Sequence, residues 1–427
     1  MFMKKLFNLR KGLVLTSLLS MLFLAACNSE ESDKDASAAG KDTIKLGLLE
    51  DHSGDFSLIG LQKLHAAELA VLEINESGGL LGKQVQLIAP DTQSDNTKFQ
   101  ELARKLILQD EVDVLMGAVS SASREAIRPI VEQNKILYFY NNQYEGGVAS
   151  KYTFATGGVP EHQIQTLMEG LIKDYGPKVY VIAADYNFGQ ISADWVYKET
   201  VENGGEIVGE EFIPLGVSQF SSTISRIKDA DPDVLITLLA GAEQSAFYGQ
   251  WANSGVRDIP MGTTVNMAQA YEHLRFQPPA LENMYVTATF MEELGKSDLE
   301  IAPKAQEFVD KFYKMFPNDK YVGMEAEAEY SAIMLWAKAV EKAGTTETDA
   351  VIEALETGIS YDGPAGSVTI DGKTHHAIRN VYLAHSGKGH EITFPKQWEA
   401  IVPDWLSTEK GVDLTTKPEF VQYNPLD

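Results

Sequence analysis

The chain has 427 residues, 44% hydrophobic and 23% charged, enough apolar material for a large core and about two or three domains. With 61 acidic against 36 basic side chains and a formal net charge of -25, nucleic acid is disfavoured as a partner. The single cysteine, Cys27, excludes an intrachain disulfide and a thiolate metal cluster.

Residues 1–26 carry Lys4, Lys5, Arg10 and Lys11, then an apolar run from Leu13 to Leu24, and end in Ala25-Ala26 before Cys27. This is the pattern of a secretory signal peptide, shorter than the roughly 20 apolar residues of a membrane span. The small residues before Cys27 resemble a bacterial lipobox, which implies a lipidated Cys27 anchored to the cell membrane. Residues 27–42, rich in Ser, Asp, Glu, Lys and Ala, then form the expected tether.

The fold is expected to begin at Thr43. Ile44 to Leu49 reads as a strand, and Leu61, Leu64, Ala67, Val71 and Ile74 recur at helical spacing before Gly78-Gly79. Val85 to Ala89, Val112 to Met116 and Ile136 to Tyr140 read as further strands, separated by helices through Phe99, Leu102 and Leu106 and through Ile127, Ile130 and Val131. This alternation predicts a parallel sheet with helices on both faces.

After the third strand, Gly117 is free to turn, and Ser120, Ser121 and Ser123 precede the next helix, so a hydroxyl residue can cap it. In a doubly wound sheet such a turn lies at the carboxyl edge of the strands, where backbone N–H groups and serines can hold a small polar ligand. A connection whose serines only cap the helix is the plainer alternative. Asn141 to Gly147, ending the fourth strand, should face the same crevice.

A second series follows. Pro160 opens a helix to Tyr175, and Val179 to Ala183, Ile207 to Phe212, Val234 to Leu239, Ile259 to Gly262 and Met284 to Ala288 read as strands. The turns around Asp185, Tyr186 and Phe188, at Ala240-Gly241-Ala242 and at Thr263-Thr264 repeat the strand-end pattern. Long helices are expected over Pro303 to Phe316 and Met324 to Ala343, then a hairpin at Ser367 to Ile370 with Asp371-Gly372, continuing in Val381 to Ala384. The reading is α/β: two doubly wound parallel-sheet lobes, 43–156 and 157–288, with 289–427 returning to both. A multi-strand hinge crosses near Thr156 and Thr289.

No G-x-S-x-G, H-E-x-x-H, G-x-x-x-x-G-K-[ST] or G-x-G-x-x-G occurs, so an enzyme is disfavoured and no cofactor is implied. Asp185 has no nucleophile beside it in sequence. His375, His376, His385 and His390 form the one local histidine group, and a solvated hairpin edge is expected there in preference to a metal site. Tyr144 and Tyr186, both in turns, are better placed to line a cleft than Tyr138 and Tyr140 inside a strand.

Several motifs in order carry a resemblance. They are Glu73-Ile74-Asn75 with Gly78-Gly79 and Leu81-Gly82-Lys83, Gly117 with Ser120 to Ser123, and Gln143-Tyr144-Glu145-Gly146. Asp185-Tyr186, Asp231-Pro232-Asp233-Val234 and Glu327 before Tyr330 complete the set. From about Thr43 to about Ile392 the chain resembles the type I periplasmic-type solute receptors of ABC importers, in the branch that binds urea and short-chain amides. One departure is Asn141-Asn142, where urea receptors carry Tyr-Pro-Val before Gln-Tyr-Glu-Gly.

The resemblance implies that Ser120, Ser121 and Ala122 offer hydroxyl and N–H donors to the ligand carbonyl, with Gln143 and Tyr144 closing that side. From the other lobe, Asp185 would accept from amide N–H groups, Tyr186 and Phe188 would wall the ligand in, and Ala240, Gly241 and Thr264 would line the floor. Glu327 is a further acceptor near the hinge. The implied partners are a small polar ligand and the importer's membrane subunits. A receptor for branched-chain or other amino acids is the alternative, but those receptors supply an acidic residue for the ammonium where this chain has Thr263-Thr264. A cytosolic ligand-sensing regulator of the same fold is disfavoured by the signal peptide.

Overall fold

The computed structural model describes residues 43–427 apart from 241, 257, 266–271, 298 and 301. The expected signal peptide, the tether, Cys27 and Gly241 lie outside the described residues.

The first half alternates as anticipated: Thr43–Leu49 (β1), Ser57–Glu76 (α1), Gln84–Ile88 (β2), Asn96–Leu108 (α2), Val114–Gly117 (β3), Ser121–Asn134 (α3), Tyr138–Tyr140 (β4), Val148–Ser150 (β5) and Thr153–Ala155 (β6). A parallel sheet in the order β2-β1-β3-β4-β6 results. All four residues of β3 are buried, as expected of a strand covered on both faces. The order reverses between β1 and β3, so a crevice opens beyond their carboxyl ends. Gly117 makes this edge possible: its φ is +109°, and a Cβ there would stand 2.5 Å from the Leu49 carbonyl oxygen.

The second half repeats the plan. It begins with a π-helical turn, Glu161–Gln165, where an uninterrupted helix is expected from Pro160; Thr166 Oγ1 donates back to the His162 carbonyl at 2.8 Å. Thr166–Tyr175 (α4), Lys178–Ala184 (β7), Asn187–Glu202 (α5), Glu206–Ile213 (β8), Ser221–Ala230 (α6), Val234–Leu238 (β9), Ala242–Ala252 (α7), Met261–Thr263 (β10), Glu272–Arg275 (α8) and Met284–Ala288 (β11) follow. The parallel order β8-β7-β9-β10-β11 has its own reversal between β7 and β9.

Ala305–Met315 (α9), Met324–Ala343 (α10) and Thr348–Glu356 (α11) come next, and α9 and α10 pack on α1 of the first lobe. Ser360–Gly363 (β12), Gly366–Ile370 (β13), Ala377–Ser386 (β14) and Ile392–Ile401 (β15) then form antiparallel pairs, with β14 lying against β11. The tight turn falls at 364–365, before β13, and not at Asp371-Gly372 as expected. Asp371 instead folds a loop, accepting from His375 N at 2.9 Å and Thr374 Oγ1 at 2.7 Å. Trp405–Thr408 (α12) and Phe420–Gln422 (β16) follow, and β16 pairs with β5 of the first lobe. The chain runs between the lobes near 156–160 and 289–291, and His376 bridges Ala155 at the edge of the first sheet.

Candidate ligand-binding cleft

Both sheet reversals open on one cleft. Its lining joins Phe56 and Ile59 after β1, Val119, Ser120 and Ser121 after β3, and Asn142 and Gln143 after β4. Tyr186 and Phe188 after β7, Ala240 after β9 and Val265 after β10 face them. Six of the expected site residues thus meet there: Ser120, Ser121, Gln143, Tyr186, Phe188 and Ala240.

The serine turn is held from behind. Its three successive carbonyls accept hydrogen bonds from buried side chains: Gly117 O from Tyr138 OH at 2.9 Å, Ala118 O from Lys63 Nζ at 2.9 Å, and Val119 O from Tyr140 OH at 2.8 Å. Ala118 is kept at a φ of +74°, unusual for a residue with a Cβ. Ser120 caps α3 by accepting from Ser123 N at 3.0 Å. The first N–H groups of α3, on Ser121 and Ala122, have no partner within the helix.

Ser121 Oγ donates to Glu145 Oε2 at 2.5 Å, and Arg124 NH2 donates to Glu145 Oε1 at 2.7 Å, with all three side chains buried. Gln143 N donates to Glu325 Oε2 at 2.9 Å, and Gln143 Oε1 accepts from Gln163 Nε2 in the π turn. Asn142 Nδ2 donates to Gln143 O at 3.2 Å, which orients the amide and leaves buried Asn142 Oδ1 without a protein partner. Across the cleft, burial pushes the Tyr186 phenol above its ordinary range, so it stays a hydroxyl that can donate. Its ring lies 6.0 Å from that of Phe188.

Five expected site residues do not line the cleft. Asp185 is exposed and accepts from Gln190 Nε2 at 2.9 Å, five residues on along the surface. Glu327 is paired with Arg379 in the interior and also accepts from Ser331. Tyr144 is buried in the core, its hydroxyl donating to His376 Nε2, whose Nδ1 donates to Thr374 O at 2.8 Å. Thr264 is buried beside the lining residue Val265. Ala122, half-buried, follows Ser121 on α3 without lining the cleft by its side chain.

Of the histidine group, His375 and His376 do not lie at a solvated edge, while His385 and His390 are half-buried. His375 is buried against Phe154, ring centroids 4.0 Å apart, and His376 is buried beside Tyr144, because the 371–376 loop folds under the first sheet. Among the described residues no cluster of three or more His, Cys, Asp and Glu could hold a metal ion. The sequence placed Asn142 and Glu145 in the turn facing the crevice without giving either a role, and it gave none to Arg124, which holds Glu145. Glu243, at the start of α7, is buried, and burial raises its carboxyl above the ordinary range.

Two α/β lobes with paired sheet reversals around one cleft define a solute-binding protein of the ABC-transporter type. The chain belongs to the periplasmic binding protein family, whose model matches residues 43–391. It is similar to Leu/Ile/Val-binding protein homolog 6 of Brucella abortus (strain 2308), 25% identical over 369 residues, 84% of this chain and 91% of that protein. It is also similar to the leucine-, isoleucine-, valine-, threonine- and alanine-binding protein of Pseudomonas aeruginosa, 26% identical over 379 residues, 86% of this chain and 94% of that one. A solute-binding protein of an ABC transporter from Rhodopseudomonas palustris BisB5, solved with 3,4-dihydroxybenzoic acid, shares the fold with a TM-score of 0.74. It is 24% identical, covering 85% of this chain and 99% of that chain. The family places the protein outside the cytoplasm, and among the described residues no helix is long and apolar enough to cross a membrane.

Proposed function

We propose that this protein captures urea or a short-chain amide by lobe closure and passes it to the membrane subunits of an ABC importer, itself anchored through a lipid on Cys27. The observation that carries the reading is the uncharged cleft: among the described residues, no charged side chain lines it. Asn142 Oδ1 is an acceptor without a partner, while the Tyr186 hydroxyl and the first N–H groups of α3 are donors. A neutral amide brings one good acceptor and several N–H donors, which such a set can satisfy. A zwitterion would need an anion for its ammonium. The cavity measures about 30 Å³, room for about two waters, which suits a ligand of a few heavy atoms.

An amino acid is the second reading, favoured by the names of the Brucella and Pseudomonas relatives and by the fitness of a helix N-terminus for a carboxylate. Calorimetry separates the two. Protein unfolded and refolded once, to strip carried-over ligand, is titrated with urea, formamide, acetamide, leucine, glutamate and benzoate. Heat from urea or an amide and none from leucine is the expected result; binding of leucine alone would transfer the site to amino acids.

A further inference from the structure

The Ser121 hydroxyl has one hydrogen, and it goes to Glu145 Oε2 at 2.5 Å. The other carboxylate oxygen receives Arg124 NH2 and Gln422 Nε2, each at 2.7 Å. Gln422 Nε2 also reaches Gly146 O at 3.1 Å, and its Oε1 accepts from Arg124 NH2 at 3.3 Å. One glutamine therefore touches both members of the buried ion pair beneath the cleft. It arrives on β16, held to β5 through Phe420 opposite Ser150 and Gln422 opposite Val148, with Arg128 NH2 donating to Val421 O at 3.3 Å. This strand lies outside residues 43–391, which the family model matches.

We propose that Gln422 is a positioning residue for ligand specificity, an inference that rests on the amide-binding function proposed above. With Arg124 it fixes the Glu145 carboxylate, which holds the Ser121 hydrogen away from the cleft. Ser121 Oγ then offers the ligand a lone pair and no hydrogen. The neighbouring serine behaves alike. Ser123 Oγ donates to Asn96 Oδ1 at 3.1 Å, so the 2.8 Å contact between Ser120 Oγ and Ser123 Oγ takes the Ser120 hydrogen. A turn that looks rich in hydroxyl donors is thus a pair of acceptors, and it selects ligands that bring N–H groups.

Gln422→Met keeps the bulk of the side chain and removes its hydrogen bonds. Wild type, Gln422→Met and Tyr423→Phe are titrated with acetamide, N,N-dimethylacetamide and leucine, and the melting temperature of each free protein is recorded. Tyr423→Phe removes only the 2.9 Å bond to Glu419 in the same segment and serves as the control. Wild type should prefer acetamide to its dimethyl analogue, and Gln422→Met should reduce that preference about tenfold, because the Ser121 hydroxyl can then turn toward a ligand carbonyl. The control should keep the wild-type ratio. An unchanged ratio in Gln422→Met, whatever its melting temperature, overturns the inference. Should wild type bind leucine and no amide, the amide reading fails separately. The positioning role then predicts leucine binding about tenfold weaker in Gln422→Met, and unchanged leucine affinity overturns it.

Discussion

Lys63 Nζ lies 2.6 Å from Glu50 Oε1, and neither side chain has any exposed surface. The same ammonium stands 3.7 Å from Glu329 Oε2 on α10 and donates to the Ala118 carbonyl in the serine turn. One cation thus joins α1, α10 and the ends of β1 and β3. Burial raises the pKa of both carboxyls, and Lys63 works against that rise. Lys63→Met should destabilise the protein by about 3 kcal/mol, since removing one partner strands the rest of a buried cluster. Urea unfolding followed by tryptophan fluorescence measures this; a loss below about 1 kcal/mol would contradict the assigned role.

Glu161 in the π turn accepts from its own backbone N–H and from Trp405 N at 3.3 Å, yet burial outweighs both and pushes its carboxyl up to about 7. The folded protein therefore binds more protons here than the unfolded chain between about pH 4.5 and 7, and this group's stabilising contribution is lost as pH rises through that window. Glu161→Gln cannot titrate. Its stability relative to wild type should improve by about 2 kcal/mol between pH 5 and pH 8, read from urea midpoints at each pH. A constant difference would refute the assignment.

His376 behaves in the opposite sense. Its Nδ1 donates to Thr374 O and its Nε2 accepts from Tyr144, so only the neutral ring fits, and burial lowers its pKa to about 4. The unfolded chain binds more protons between about pH 4 and 6.5, and stability is lost as pH falls through that range. In His376→Gln the acid-side decline in melting temperature should be shallower than in wild type. Equal slopes would mean that His376 takes up its proton without unfolding.

In the cleft, Tyr186→Phe removes a donor and should weaken amide binding by about 3- to 10-fold. Asp185→Asn should leave affinity within about twofold, because that carboxylate is exposed and engaged with Gln190. Parallel calorimetric titrations test both. A large loss in the Asp185 variant alone would return that residue to the site.

Local grammar accounts for what was legible in the sequence. Ser120, Ser121, Tyr186 and Ala240 follow strands that are apolar on both faces, and a strand followed by a polar turn and a helix places such residues at a sheet's carboxyl edge. Asp185 obeys the same grammar yet misleads, since its side chain finds a partner five residues away on the surface. Glu327 misleads because Arg379, 52 positions later, claims it. Glu145 and Gln422 lie 277 positions apart, and no spacing rule reaches across that distance to their contact. The buried histidines were hidden likewise: a His-His pair reads as polar until the loop that folds it under Phe154 is seen.

The clamp on the carbonyls of Gly117, Ala118 and Val119 bears on the sequence of events in time. A turn fixed by two phenols and an ammonium has little conformational freedom left to surrender when a solute arrives, so the ordering cost of binding falls elsewhere. In the lobe closure proposed above, the opposite wall, with Tyr186 and Phe188, would carry that cost as it moved in. A solute would then lodge first on the serine turn, a landing place already set, and the second wall would decide how long it stays. Changes beneath the turn should be felt on arrival, and changes at Tyr186 on departure.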